Sequence, residues 1–334
     1  MKISMIHGAG GEGMGEVLDL LSSLRNTRTP EAGSIGLEAL DDGAVIPLGE
    51  HKIVFTTDSH VVRPLFFPGG DIGRISVAGT VNDLAMMGAK PLALSCGMVI
   101  EEGFSFDDLK RILASMDATL DEVGASLVTG DTKVVERGSL DGIMINTAGI
   151  GIAQTVISDA GLQVGDVIIV SGTLGDHGLS ILATREGFDL GDQIVSDVAP
   201  VYGLVAAAMS AGEVHAMKDP TRGGFANAIN EMAKKAGVQV LIDEAQLPIR
   251  PSVRSAAAVL GIDPLEVANE GKVVMGVSSK DAQRILKAIQ AHPYGHDAAI
   301  CGRVCEGNSV IMETIAGGKR FIEPPLGDPV PRVC

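Results

Sequence analysis

Strands and helices alternate along the chain between Ala44 and Ile152, and this alternation restricts the fold more than any other feature of the sequence. Apolar residues recur at helical spacing over 71–87 and 107–123, and in the second of these Leu109, Ile112 and Met116 fall on one face. Apolar runs with β-branched residues predict strands over 52–57, 91–100, 126–129 and 142–152. The first half of the chain is therefore expected to mix α and β structure.

A second unit begins near Leu162, where a turn over 163–166 leads into the apolar run 167–170. Its predicted helices cover 197–211, 223–236 and 280–291, and its predicted strands cover 239–242, 273–277, 298–305 and 309–314. A length of 334 residues also favours two domains. We place an N-terminal glycine loop and helix at 1–34, the first domain at 35–155, the second at 156–318 and a tail at 319–334.

The composition argues against several classes of partner. The chain has 26 Lys and Arg against 42 Asp and Glu, a net charge of −16, and no basic cluster such as a nucleic-acid surface needs. No apolar stretch approaches membrane length, and the N-terminal residues do not resemble a signal peptide. Four cysteines in a chain of this length do not form a disulfide framework. We therefore expect a cytoplasmic protein that binds neither nucleic acid nor membrane.

Gly8, Gly10 and Gly13 match the dinucleotide pattern G-x-G-x-x-G, but their context does not. Such a site needs a second strand that ends in an acidic residue about 20 residues further on, and the segment 25–31 is not strand-like. The P-loop pattern G-x-x-x-x-G-K-[ST] does not occur. Any ATP site is therefore of another kind, to which a glycine loop near the phosphates could contribute.

Acidic residues recur beside glycines or at predicted strand ends in the first domain. They occur in four motifs: Asp41-Asp42-Gly43, Thr57-Asp58, Asn82-Asp83 and Thr129-Gly130-Asp131-Thr132-Lys133. Hard oxygen ligands on separate loops suit a Mg²⁺ ion that bridges a triphosphate, and Lys133 would add positive charge against a phosphate. Each acid alone could equally cap a helix or shape a turn, but the set of four favours a nucleotide site.

The second domain offers further candidates. The motif 219–224 directly precedes a predicted helix, so its backbone N–H groups, with Thr221 and Arg222, could cradle a phosphate. His177 lies in a turn that opens another helix, where a histidine is more often structural than catalytic. Glu270 precedes a strand and is a candidate general base, although an exposed glutamate is the commoner explanation.

The tail ends in a cysteine. Pro324, Pro325, Pro329 and Pro331 bias the tail toward an extended, solvated polyproline II conformation. At about 3.1 Å per residue, about a dozen such residues reach roughly 35–40 Å. The Cys334 thiol on such a tether could be modified at one site and react at another.

These segments together resemble the HypE family of hydrogenase maturation proteins. The resemblance covers essentially the whole chain and rests on 57–73, 79–88, 101–104, 129–135, 175–178, 219–224, 268–272 and the ending Pro331-Arg-Val-Cys334. HypE proteins in turn resemble the aminoimidazole ribonucleotide synthetase (PurM) superfamily. The resemblance implies an α+β fold with two PurM-like domains, a homodimer whose first-domain sheets pair, a flexible tail, and ATP held near the dimer interface by the acidic loops.

The resemblance also implies an activity for Cys334. A partner carbamoyltransferase, HypF, would place a carbamoyl group on its sulfur, and ATP would phosphorylate the carbamoyl oxygen. Loss of phosphate would then leave a thiocyanate on Cys334. The cyanide would pass to the iron of [NiFe]-hydrogenase on a HypC–HypD scaffold complex.

Each candidate residue has a role in this interpretation. The residues implied to hold Mg²⁺ are Asp42, Asp58, Asp83 and Asp131, and those implied to contact ATP in addition are Asn82, Thr129 and Arg222. Lys133 would stabilise charge on the transferring group, and Glu270, or less well His177, would remove the N–H proton. Two other functions stay open: a kinase or synthetase of the same superfamily that acts on a small molecule, and a carrier that delivers a ligand on Cys334 without ATP.

Overall fold

The computed structural model describes residues 2–8, 11–24, 33–188, 194–327 and 329–334. Of the predicted glycine loop, Ala9 and Gly10 therefore lie outside the described residues. The α-helices in these ranges are α1 (Gly11–Ser22), α2 (Ile72–Met86), α3 (Phe106–Val123), α4 (Asp176–Glu186), α5 (Tyr202–Ala211), α6 (Gly224–Ala236), α7 (Pro251–Leu260) and α8 (Ala282–Gln290). None of the helices in the described part is both long and apolar enough to cross a membrane.

The strands of the first half form one mixed sheet. Its members are β1 (Ala44–Leu48), β2 (His51–His60), β5 (Lys90–Glu101), β6 (Ser126–Val135) and β7 (Ile143–Ala153), in the order β1-β2-β7-β5-β6. β5 and β6 run parallel, and the other neighbours are antiparallel. A short ribbon of β3 (Phe66–Phe67) and β4 (Gly70–Asp71) leads into α2.

The two faces of this sheet differ. Along β2, Val54, Thr56 and His60 are buried on the side where α2 packs, whereas Phe55 alternates with them and points outward. Apolar side chains on the outward face, such as Phe55 and Ile150, stay exposed. β6, at one edge of the sheet, is exposed from Ser126 to Val134. A bare sheet face with an open edge is a surface on which another chain can pack.

The strands of the second half form a second sheet. Its members are β8 (Val167–Val170), β9 (Val214–Lys218), β10 (Gln239–Asp243), β11 (Val274–Val277), β12 (Ala299–Cys305), β13 (Val310–Glu313) and β14 (Lys319–Phe321), in the order β14-β13-β10-β12-β8-β11-β9. α6 packs on one face through Phe225 and Ile229, and α5 and α8 pack on the other through Leu204 and Ile285.

α2 lies between the two sheets. Its sequence is apolar nearly all round, which is typical of a helix buried on every side. Ile75 and Val81 pack in the core of the first sheet, whereas Ala85 and Met86 pack with residues of the second. The polar residues of α2 are therefore placed at the junction of the two halves.

Most of the predicted elements are present. α2, α3, β5 and β7 match their predicted ranges to within a residue or two at each end. β6 continues to Val135, well beyond the predicted 126–129. The prediction stops early because Gly130 and Asp131 are residue types that strands disfavour. β1, β9 and α7 are elements that the pattern does not predict.

The tail departs most from its predicted conformation. β14 pairs with β13, so residues 319–321 belong to the second sheet, and Ile322, Val330 and Val333 are buried. The tail predicted to be extended in solvent is therefore folded back onto the protein, because its apolar residues find a surface that the sequence pattern does not reveal.

Candidate active site

Three of the four predicted acids of the first domain converge where α2 meets β2. The Thr56 hydroxyl lies 2.8 Å from Asp83 Oδ2 and 3.0 Å from the Asp42 carbonyl oxygen. Burial raises the pKa of Asp83 well above its usual value, and the negative charges of Asp219, Asp58 and Asp42 raise it further. The structure thus brings Asp42, Asp58 and Asp83 together.

The second domain adds Asp219 and Arg222 to this site. Gly223 and Gly224, with φ of 75° and 60°, turn the chain sharply where it enters α6. Arg222 lies 3.9 Å from Asp58. Burial, with the negative charges of Asp42 and Asp58, raises the pKa of Asp219 to about 8, whereas the positive charges of Lys218 and Arg222 oppose this rise. The motif predicts phosphate binding through Arg222, whereas Asp219, which opens the same motif, is a further acid that the pattern does not single out.

Glu270 is buried in this site rather than exposed. Its backbone N–H donates to Asp197 Oδ1 at 3.0 Å, and a Cβ on Gly271 would meet the Asp197 carbonyl oxygen at 2.0 Å. Its Oε1 atom is buried and makes no hydrogen bond within the described residues. Burial, followed by Asp58 and Asp219, raises its pKa well above the usual value. Glu270 therefore combines a fixed backbone with a carboxylate oxygen that is unpaired, which suits a general base.

Asn82, predicted to assist ATP, contacts the second domain. Its amide nitrogen donates to the carbonyl oxygens of Ala199 at 3.0 Å and Glu270 at 3.2 Å. Its Oδ1 accepts from the Val201 N–H at 2.8 Å. Because both N–H donors contact backbone of the second domain, Asn82 fixes that domain, including Glu270, against α2, and its contact with ATP stays a prediction.

The last residues of the tail form an extended segment beside residues 61–63. The Arg63 N–H donates to the Arg332 carbonyl oxygen at 3.1 Å, and the Val61 N–H donates to a main-chain oxygen of Cys334 at 3.0 Å. This pairing follows the rule by which a peptide adds to exposed backbone as a strand does. The chain end is thereby held by main-chain contacts.

Side chains hold the same segment from the other side. Arg185 donates to the carbonyl oxygens of Pro331 at 2.7 Å and Arg332 at 2.9 Å. The Val333 side chain is 1% exposed and packs in the core of the first sheet. We call the surface that binds residues 331–334 the tail dock; it consists of residues 61–63, His177 and Arg185.

His177 belongs to the tail dock. Its Nε2 lies 2.8 Å from the Val333 carbonyl oxygen and therefore carries the proton, while Nδ1 lies 2.7 Å from the Ser196 hydroxyl. Burial lowers its pKa, which favours the neutral ring. Both nitrogens of His177 are engaged in this arrangement, and its role as a base stays a prediction.

Docking brings Cys334 within electrostatic range of Arg222. The negative charge on Cys334 is the main reason why the pKa of Arg222 is raised, and Asp58 and Glu270 raise it further against the effect of burial. Cys334 itself is partly buried against the core of the first sheet. Cys334 and the predicted base Glu270 are therefore both close enough to Arg222 to interact with its charge.

Thr129, Asp131 and Lys133 lie elsewhere. The pairing register connects Asp131 across β5 and β7 to Ser59 of β2. Asp58, one residue earlier, therefore points to the opposite face, and three strand spacings of about 4.8 Å separate the two backbones. Thr129 and Lys133 share the outward face with Asp131, to which Lys133 pairs at 3.8 Å. Within one chain these residues do not join the other acids, so the structure brings together three of the four predicted aspartates.

The other three aspartates, Asp42, Asp58 and Asp83, suit a cation that is bound by the protein and by phosphate together. In the described ranges, no three carboxylate, histidine or cysteine side chains are grouped so as to hold a metal by themselves. Mg²⁺ commonly takes one or two carboxylates and completes its shell with phosphate and water. Asp42 Oδ2 is buried and unpaired there, and the mutual repulsion that raises the pKa of Asp83 would be relieved by a cation.

Comparison with known proteins places the chain in a family. The family model "AIR synthase related protein, N-terminal domain" matches residues 40–153, and "AIR synthase related protein, C-terminal domain" matches 163–314. A putative hydrogenase expression/formation protein of Methanocaldococcus jannaschii is 52% identical over 100% of both chains. The carbamoyl dehydratase HypE of Azotobacter vinelandii is 45% identical over 100% of this chain and 97% of its own.

Solved structures agree with these relatives. A HypE–HypF complex contains a chain that is 43% identical, with a TM-score of 0.87 over 94% of this chain and 100% of that one. HypE in complex with ATP is 38% identical, with a TM-score of 0.83 over 100% of both chains. The fold, the AIR synthase related domains and the full-length identity lead to one conclusion: the chain belongs to the HypE family of carbamoyl dehydratases.

Proposed function

We propose that this chain uses ATP to dehydrate a carbamoyl group carried on the Cys334 thiol, leaving a thiocyanate that supplies cyanide to the iron of [NiFe]-hydrogenase. The observation that supports the proposal is the docked tail, in which the Val61 N–H donates to a main-chain oxygen of Cys334 at 3.0 Å and the charge on Cys334 acts on Arg222. A site closed around its substrate also excludes water, which would otherwise hydrolyse an activated intermediate. The related HypE–ATP complex supports ATP as the second substrate.

The chemistry needs a leaving group on the amide carbon. In a thiocarbamate, S–C(=O)–NH₂, the oxygen attacks the γ-phosphorus of ATP, ADP leaves, and one N–H proton is lost as S–C(OPO₃)=NH forms. Removal of the second proton lets the C–O bond break, so that phosphate departs and S–C≡N remains. The balance is one thiocarbamate and one ATP to one thiocyanate, ADP and phosphate.

Glu270 is the proposed base for the second proton. Its unpaired, buried carboxylate oxygen and its raised pKa suit proton abstraction in a dry site, and Asn82 and Asp197 hold its backbone. Arg222 is the proposed partner of the departing phosphate, since a guanidinium binds phosphate oxygens in a fixed geometry.

Asp42, Asp58 and Asp83, with Asp219, are the proposed holders of Mg²⁺. Bound there with ATP, the ion would neutralise charge on the transferring phosphoryl group. The chain's own contribution is to fix these carboxylates, Asp83 through Thr56 and Asp42 through Lys218. Positioning of this kind is most of what phosphoryl transfer asks of a protein.

A homodimer is the proposed functional unit. The outward face of the first sheet exposes Phe55 and Ile150, and β6 offers an open edge, which together suit pairing with a second copy. In such a dimer Asp131 and Lys133 face the neighbouring subunit. They would then complete the nucleotide site of that subunit, with Thr129 beside them, rather than the site of their own.

Subunit mixing tests this arrangement. Asp83→Asn and Lys133→Met are each expected to be inactive, but heterodimers contain one site with both native residues. Random mixing should therefore restore about a quarter of wild-type activity, since half of the dimers are mixed and each has one competent site. Mixtures that stay inactive contradict the shared site, and Asp83→Asn with Asp42→Asn serves as the non-complementing control.

The proposed partners follow from the reaction. A HypF carbamoyltransferase would load Cys334, as the related HypE–HypF complex suggests, and a HypC–HypD complex with bound iron would receive the cyanide. Both transfers need the tail to leave the dock, so the flexible tail remains part of the proposal. Within the described residues none of the four cysteines forms a disulfide, which is compatible with the reducing cytoplasm that we propose.

Mass spectrometry of the C-terminal peptide tests the function. The protein is incubated with carbamoyl phosphate, the carbamoyltransferase and Mg–ATP, and Lys-C then cuts after Lys319. A carbamoyl adduct on Cys334 that loses one water in the wild type, but not in Asp83→Asn or Glu270→Gln, supports the dehydratase. An unmodified Cys334 with ATP consumed by a free small molecule indicates a superfamily kinase, and an adduct unaffected by ATP indicates a carrier.

A further inference from the structure

Asp42 reaches the site with its two carboxylate oxygens in unlike surroundings. Oδ1 accepts a hydrogen bond from Lys218 Nζ at 2.7 Å. Oδ2 is buried and makes no hydrogen bond within the part of the chain that the structure describes. The backbone around it is also held, since the Asp42 N–H donates to Asp41 Oδ1 at 3.0 Å. Oδ1 is therefore occupied by Lys218, whereas the lone pairs of Oδ2 are left to coordinate a cation.

Lys218 is a buried ammonium group with three acidic neighbours. It ends β9, directly before Asp219, so it belongs to the second domain while Asp42 belongs to the first. Its Nζ lies 3.3 Å from Asp159 and 3.3 Å from Glu231, besides Asp42. The three donors of an ammonium match three carboxylates, which fixes its position. Burial alone would lower its pKa, but the charges of Asp42, Glu231 and Asp159 raise it well above the usual value.

A second lysine belongs to the same network without touching Asp42. Lys235 on α6 lies 2.6 Å from Asp159 Oδ2, the oxygen that Lys218 also approaches, and it contacts the Leu40 carbonyl oxygen. Both lysines therefore neutralise Asp159 and both tie α6 or β9 to the segment that precedes β1. The difference is direct contact with Asp42, which only Lys218 has among these two.

We propose that Lys218 is a positioning residue for the cation site: it occupies Oδ1 of Asp42 from the second domain and so directs Oδ2 toward the metal. This inference rests on the proposed function, because Asp42 is a metal ligand only in that proposal. Lys218 does not contact substrate itself. Its removal leaves Asp42 free to rotate, and partners of metal-ligating groups typically contribute about 10- to 100-fold to metal affinity.

The test is the Mg²⁺ dependence of nucleotide binding. Affinity for a non-hydrolysable ATP analogue is measured by calorimetry across a Mg²⁺ series for the wild type, Lys218→Met, Lys218→Arg and Lys235→Met. We expect Lys218→Met to raise the half-saturating Mg²⁺ concentration about tenfold or more, while affinity without Mg²⁺ stays within about twofold. Lys218→Arg should keep the half-saturating Mg²⁺ concentration close to that of the wild type, because a guanidinium can also donate to Asp42. Lys235→Met should lower thermal stability and leave the Mg²⁺ dependence unchanged.

The possible results separate the inference from the function on which it rests. If Lys218→Met and Lys235→Met show the same Mg²⁺ dependence as the wild type, Lys218 is merely structural and the inference is overturned. If the wild type itself binds no nucleotide, the proposed function fails first. If Lys218→Met does not fold, Lys218→Met with Asp159→Asn, which removes one of the uncompensated acids, is compared with Asp159→Asn alone, and equal Mg²⁺ dependence of these two again overturns it.

Discussion

Val333 offers the sharpest test of the tail dock, since its side chain is 1% exposed although it stands next to the end of the chain. Val333→Ala removes two methyl groups from the core of the first sheet without touching any hydrogen bond of the dock. At about 0.8 kcal/mol per buried CH₂, the transfer term is roughly 1.6 kcal/mol, and a partly collapsed cavity adds a few tenths. The total of about 2 kcal/mol changes the ratio of docked to undocked tail about 30-fold.

Hydrogen exchange at the Val61 and Arg63 amides measures this ratio. These two N–H groups donate to main-chain oxygens of the tail and lose that protection when the tail leaves. We expect their exchange to become about 30-fold faster in Val333→Ala, toward the rate of a protein that lacks residues 331–334. Val259→Ala is the matched control, because Val259 is 87% exposed on α7 and the same two methyl groups are lost there. Exchange at the wild-type rate in Val333→Ala would refute the argument that burial of this side chain holds the tail.

Three further predictions concern the residues whose roles the structure changes or adds. Asn82→Ala should reduce dehydration about 100-fold through displacement of Glu270, with nucleotide affinity by calorimetry nearly unchanged; weak nucleotide binding with normal turnover would restore the role in ATP binding. His177→Ala should speed exchange at Arg63 as the tail loosens, whereas intact docking with lost dehydration would point to a base after all. Asp219 has a folded-state pKa of about 8 against 3.8 when unfolded, so the folded protein loses stability as pH rises through that window. Between pH 3.8 and about 8, the melting temperature of metal-free Asp219→Asn should fall less with rising pH than that of the metal-free wild type. Melting temperatures that fall in parallel with pH in the two proteins would contradict this.

The fold follows closely from the sequence where periodicity is strong. α3 carries a regular apolar stripe with a serine cap at Ser105 and a glycine end at Gly124, and its range differs from the prediction by one residue. α2 is predictable as a helix for its apolar character, yet nothing in its pattern reveals that it lies between two sheets. β6 is predictable only over its first residues, because Gly130 and Asp131 interrupt the strand pattern and both faces of this strand are exposed, so that burial imposes no alternation.

The site is less predictable because it is assembled from side chains whose contacts are distant in sequence. Asp42, Asp58 and Asp83 are recognisable from their motifs, and they converge. The same motif predicts that Asn82 lies in the site beside Asp83. Consecutive residues of a helix point in different directions, however, and Asn82 points to the second domain. Lys218 carries no sequence signal beyond its place before the 219–224 motif, because its partners Asp42 and Asp159 lie 176 and 59 residues away.

One helix provides the spatial reference for the proposed reaction. Asp83 and Asn82 are consecutive residues of α2, and through them the helix touches the acidic site with one side chain and the backbone of Glu270 with the other. In the proposed reaction, this one helix therefore fixes the separation between the proposed Mg²⁺ ligand Asp83 and the proposed base Glu270. The tail can then enter or leave its dock while α2 keeps Asp83 and Glu270 at a constant separation.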